Sequence, residues 1–74
     1  MSINKKVAKR IIKLRKQQDL TMENLAFISG IGKGTLSQIE RGRSALKVET
    51  LYKITKGLEI CLQEFFNDKD IFTE

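Results

Sequence analysis

Between Lys33 and Arg41 the chain places Leu36 and Ile39 three residues apart, the spacing of one helical face. Lys33, Gly34, Ser37, Gln38 and Arg41 then fall on the outward side. Their side chains supply an ammonium, a hydroxyl, a carboxamide and a guanidinium, which donate or accept hydrogen bonds and do no covalent chemistry. Such groups suit base edges and phosphates. Catalysis has little to draw on. The chain has no His, its one cysteine is Cys61, and no Ser stands beside an obvious base, so no nucleophile–base pair can be nominated. A structural zinc would need about four Cys/His ligands, which excludes a metal, and no residue set implies a cofactor or a small-molecule ligand. The run Gly30-Ile31-Gly32-Lys33-Gly34-Thr35 looks like a phosphate loop. However, Phe27 stands where the first Gly of G-x-x-x-x-G-K-S/T belongs, and Gly34 separates Lys33 from Thr35. The composition points to a binder and not to an enzyme.

The elements that must position this face read as helices throughout. Val7, Ile11 and Leu14 recur at i, i+4 and i+7, with lysines on the other faces, which predicts a first helix ending near Gln18. Thr21 suits an N-cap and Glu23 the first turn of a second helix, Met22 to Ser29. Gly30 can take the left-handed conformation that ends it. Gly32 then caps a third helix, Lys33 to Arg41, which Gly42 terminates. A fourth helix fits Val48 to Lys56, with Val48, Leu51, Tyr52 and Thr55 inward and Gly57 at its end. A fifth, Leu62 to Asn67, presents Leu62, Phe65 and Phe66. No stretch alternates like a strand and no linker divides residues 1–74, so the expectation is a single all-α domain of five short helices.

Charge is divided unevenly along the chain. Residues 1–43 carry ten Lys/Arg against Asp19, Glu23 and Glu40, whereas residues 44–74 carry four Lys against six acids. Basic charge gathered in one half suits a polyanion, because each neutralised phosphate releases condensed counterions. At 74 residues the core is small, no disulfide or metal reinforces it, and association is the remaining common source of buried surface. The lone Cys61, expected to be a small buried hydrophobe, fits a reducing cytoplasm. No apolar run approaches the roughly 20 residues of a membrane span, and the Lys-rich start leads into no signal-peptide core.

Two short helices joined by Ser29-Gly30-Ile31-Gly32 form the most specific pattern, residues 21–42. Ala26 is small enough for a close crossing, Gly30 permits a sharp reversal, and Ile31, Leu36 and Ile39 clamp one helix onto the other. Leu25-Ala26-x-x-Ser29-Gly30-Ile31, then Leu36-Ser37-x-Ile39-Glu40-x-Gly42, then Glu49-Thr50-Leu51, resembles the Cro/CI-type helix-turn-helix family of small transcriptional regulators. The resemblance spans about residues 5–67. The Leu-Tyr-Lys-Ile-Thr-Lys-Gly-Leu run and the Phe65-Phe66 ending are similar to controller proteins of restriction–modification systems.

That resemblance implies a five-helix Cro/CI-repressor-like fold whose third helix enters the major groove of double-stranded DNA. It places Lys33, Gly34, Thr35, Ser37 and Gln38 against bases, and Arg41, Arg43 and the backbone near Met22 against phosphates. Lys33 would donate to guanine O6/N7, and Gln38 would pair with adenine N6/N7. Three positions depart from the family: Met22 where a Gln often touches the backbone, Gly34 with no side chain for a base, and Leu46 where Pro is common. The family also pairs an arginine of the first helix with the glutamate of the third, which here implies an Arg15–Glu40 ion pair. Leu62, Phe65, Phe66, Ile71 and Phe72 are expected to form a homodimer face within about residues 46–72, set away from the basic half. The resulting expectation is a dimeric regulator of a palindromic operator. The rival is a partner-binding protein such as an antitoxin; RNA is disfavoured because Phe27 and Tyr52 are the only aromatics outside the C-terminal segment and offer no stacking platform.

Overall fold

In the computed structural model, which describes residues 2–43 and 45–72, helix α1 covers Ile3–Gln17, α2 Met22–Ser29 and α3 Lys33–Glu40. They are followed by α4 (Val48–Gly57), α5 (Leu62–Phe65) and α6 (Lys69–Phe72). The described residues contain no strand, as expected, but six helices where five were read. The extra element is the single turn α6, in which the Asp68 carboxylate accepts the Asp70 N–H at 3.0 Å and starts a helix the polar tail did not advertise. No helix among the described residues is long and apolar enough to cross a membrane.

Side-chain caps and left-handed residues punctuate the chain. Ser2 Oγ accepts the Lys5 N–H at the start of α1, and Thr21 Oγ1 accepts the Asn24 N–H at 3.0 Å at the start of α2. Cys61 is exposed, contrary to the expectation that it is buried: its Sγ takes the position of a serine hydroxyl and accepts the Glu64 N–H at the start of α5. Gly30 ends α2 at φ +72°. α4 instead runs through Gly57, and the left-handed residue beyond it is Glu59, at φ +59°.

One core collects Val7, Ile11 and Leu14 of α1, Leu25 and Ala26 of α2, Leu36 and Ile39 of α3, Leu51 and Ile54 of α4, with Leu58, Phe65 and Ile71. α1 packs on α3 and α6, and α2 packs on both α3 and α4. The inward face of α4 is Leu51, Ile54, Thr55 and Leu58, while Val48 and Tyr52 are exposed. The interval pattern is the one expected, shifted by three residues: Leu51 and Thr55 stay inward, Ile54 and Leu58 join them, and Val48 and Tyr52 turn outward.

Gly57 marks the crossing of α2 and α4. A Cβ there would run into Ser29 Oγ and lie 3.3 Å from Ile28 Cγ1. Glycine is therefore used for backbone proximity, and Ser29 Oγ is left buried without a hydrogen-bond partner. Two residues of the expected dimer face, Phe65 (0% exposed) and Ile71 (4%), lie in the core. Phe65 fills the space between α1 and α4 that a domain of this size would otherwise leave open. Leu62 and Phe66 are half-buried, and the Phe72 side chain lies outside the described residues.

Candidate nucleic-acid interface

The turn between α2 and α3 is set by backbone geometry. Ile31 donates its N–H to Ala26 O at 3.0 Å, which closes the reversal begun at Gly30, and Gly32 starts α3 with no side-chain cap. Burying Leu36 and Ile39 turns the opposite side of α3 outward. Lys33, Gly34, Thr35 and Gln38 are exposed there, with Ser37 half-buried at the edge. Arg41 and Arg43 are exposed just beyond it. The structure thus brings Lys33, Thr35, Ser37, Gln38 and Arg41 onto one continuous helical surface.

Lys33 is not a free ammonium. Its Nζ donates to Glu23 Oε1 at 2.9 Å, linking the first turns of α2 and α3 across the outer surface. The hydrogen bond from Lys33, and then its charge, hold the Glu23 carboxyl below its ordinary range. Met22 turns its side chain toward the core. Thr21 satisfies the N–H groups of Asn24 and Leu25. The first two N–H groups of α2, those of Met22 and Glu23, therefore point out of its N-terminus, as in any helix.

Glu40 lies beneath the basic surface and is neutralised from behind. Arg15 Nε donates to Oε2 at 2.9 Å and Nη2 to Oε1 at 3.1 Å, while Nη1 donates to Leu20 O at 3.0 Å. Only 13% of the Arg15 side chain and 5% of the Glu40 side chain are exposed. The fork geometry fixes α1, α3 and the entry to α2 together.

Sequence reasoning missed a second buried arginine. Arg10 donates from Nε to Phe65 O at 2.8 Å and from Nη2 to Glu64 O at 3.0 Å. Its Nη1 lies 3.5 Å from Asp68 Oδ2, and its guanidinium carbon is 6.0 Å from the Phe65 ring centroid. It closes the C-terminus of α5 and belongs to the fold, not to the basic surface. The signal was present in the sequence: Arg10 sits three residues after Val7 and four before Leu14, inside the apolar stripe.

At the far end of the molecule Phe66 meets Phe65 edge-on, with ring centroids 5.1 Å apart. Phe66 also lines an open hollow of about 630 Å³ with Cys61, Gln63, Glu64 and Asn67. Of the expected dimer residues, Leu62 and Phe66 retain partial exposure here.

Comparison with known proteins agrees with this geometry. The helix-turn-helix family model matches residues 11–65. The HTH-type transcriptional regulator SutR of Escherichia coli is 39% identical over 54 residues, which are 73% of this chain and 30% of SutR. The chain therefore spans about a third of that relative's length. The restriction–modification controller protein C.Esp1396I superposes with a TM-score of 0.91 at 33% identity, covering 100% of this chain and 97% of that one. A second structure of C.Esp1396I, a tetramer with its natural 35 base-pair operator, covers 99% of each chain at the same TM-score. The controller protein C.AhdI from Aeromonas hydrophila gives 0.81 at 30% identity, over 85% of this chain and 96% of the other. On these grounds the chain belongs to the helix-turn-helix family that includes these transcriptional regulators.

Proposed function

We propose that this protein regulates transcription by binding a palindromic DNA operator as a homodimer, in the manner of a restriction–modification controller protein, and that it acts in the cytoplasm by recognition alone. The observation that carries the reading is the correspondence of the whole chain with C.Esp1396I, a protein seen on its own operator. In this reading α3 enters the major groove. Lys33, Thr35, Ser37 and Gln38 face base edges, with Gly34 admitting the DNA closely. Arg41, Arg43 and the outward N–H groups at Met22 hold phosphates. To reach guanine, Lys33 exchanges or shares its contact with Glu23, an exposed pair that offers little resistance.

The dimer contact is placed on the α4–α6 side, through Leu62 and Phe66, with Phe65 and Ile71 supporting that surface from the core. Two recognition helices would then meet half-sites about one DNA turn, ~34 Å, apart. The test is selection from a random duplex pool, followed by sedimentation of the protein with the enriched site. A palindrome bound by two protomers is expected. Salt-sensitive binding with no enriched sequence, or one protomer per site, would reject the operator reading.

A further inference from the structure

Seven of the ten cations of residues 1–43 fall into two groups. Arg10, Lys13, Arg15 and Lys33 face carboxylates, whereas Lys5, Lys9 and Arg41 have no carboxylate partner among the described residues. The second group converges. Lys5, Ala8 and Lys9 on one wall and Glu40, Arg41 and Gly42 on the other line a cleft of about 160 Å³ between the first turns of α1 and the exit of α3.

Two features shape this cleft. Gly42 is at φ +70°, and a Cβ there would lie 2.8 Å from Lys5 Cγ and 3.4 Å from Lys5 Cα. The missing side chain thus lets α1 approach the α3 exit and keeps the Lys5 stem against it. The one acid in the lining, Glu40, already has both carboxylate oxygens bonded by Arg15. The cleft consequently presents three uncompensated cations, and its only anion is screened from behind. Lys9 stands one helical turn from Lys5 on the same face of α1, and both residues line the cleft opposite Arg41.

We propose that this cleft seats one backbone phosphate of DNA, just beyond the segment that α3 occupies, and so extends the footprint onto α1. Lys5 and Lys9 thereby join Arg41 as phosphate ligands. The site rests on the DNA-binding reading but not on its sequence specificity, because a phosphate contact is blind to the base attached to it.

The experiment measures affinity against salt concentration by fluorescence anisotropy, for the full chain on its enriched site and on an unrelated duplex. Loss of one phosphate contact lowers the slope of log K against log salt by about one per bound protomer. The double variant Lys5→Gln/Lys9→Gln is expected to show that loss on both duplexes, with the ratio between them unchanged. Lys5→Arg/Lys9→Arg should restore the slope, and Lys69→Gln, which removes one charge on α6, should leave it intact. An unchanged slope for the glutamine variant, an equal loss from Lys69→Gln, or a changed ratio between the duplexes would overturn the assignment. The wild-type protein reports separately on the operator reading: no preference for any duplex sinks that reading while the slope on the unrelated duplex still tests the cleft.

Discussion

The two salt-bridged ends of α3 are built to opposite standards. At the C-terminal end, Glu40 is nearly sequestered and held by both arms of the Arg15 guanidinium. At the N-terminal end, Lys33 and Glu23 meet at the same 2.9 Å, yet their side chains are 61% and 71% exposed. Equal distance therefore does not mean equal consequence. A buried, doubly bonded pair leaves an uncompensated charge when broken, whereas an exposed pair is replaced by water. The helix is anchored where it meets α1 and left adjustable where it would meet a ligand.

The largest expected effect tests the anchor. Arg15→Ala should destabilise the fold by about 3 kcal/mol, because Glu40 loses its counter-charge and Leu20 O its donor. For a chain of this size thermal melting would then fall by something on the order of 15 °C. A shift of a degree or two would show that the buried pair is no stronger than the exposed one. Next comes Arg10→Met, which keeps the aliphatic stem but frees the carbonyls of Glu64 and Phe65. About 2 kcal/mol is expected, read from urea midpoints at constant m.

Gly34→Ala has the opposite sign. A Cβ at this helical position meets nothing within 4 Å, so removing the entropic cost of glycine should stabilise the fold by about 0.5–1 kcal/mol. The smallest effect belongs to Glu23. Its carboxyl is depressed in the folded protein by Lys33, so its contribution is present above the ordinary carboxylate range and is lost as pH falls through the lowered value. Glu23→Gln should lower melting only slightly at neutral pH, where the pair's small contribution is fully present, and should abolish the further decline that the wild type shows as pH falls through the lowered value. A large loss at neutral pH would erase the contrast between the two ends of α3.

Most of this arrangement can be read locally. The bounds of α1 to α3, the left-handed Gly30 and the outward set on α3 follow from periodicity and turn chemistry. The Arg15–Glu40 partnership was implied by the family pattern in Ile39-Glu40-Arg41-Gly42. What escaped is non-local or degenerate. The acceptors of Arg10 lie 54 and 55 positions away, so its place in the apolar stripe had no visible partner. In α4 the sets Val48/Leu51/Tyr52/Thr55 and Leu51/Ile54/Thr55/Leu58 have the same intervals, and only the packing of α2 across Gly57 selects the second. Phe65 looks surplus in the sequence because the space it fills, between α1 and α4, is created by distant segments of the chain. The hydrophobicity of Cys61 suggests burial, but its position before Leu62 gives it the role of a capping serine.

The open space around Gly34 also bears on how such a regulator could change. Position 57 is closed to variation by Ser29 and Ile28, but position 34 is exposed on the outward side of α3 with no neighbour to offend. A lineage could sample many side chains there without first losing its fold, and some of them would gain stability in doing so. Recognition of a new DNA sequence can thus begin as a neutral substitution at a vacant reading position, with the rest of the surface still serving the old one.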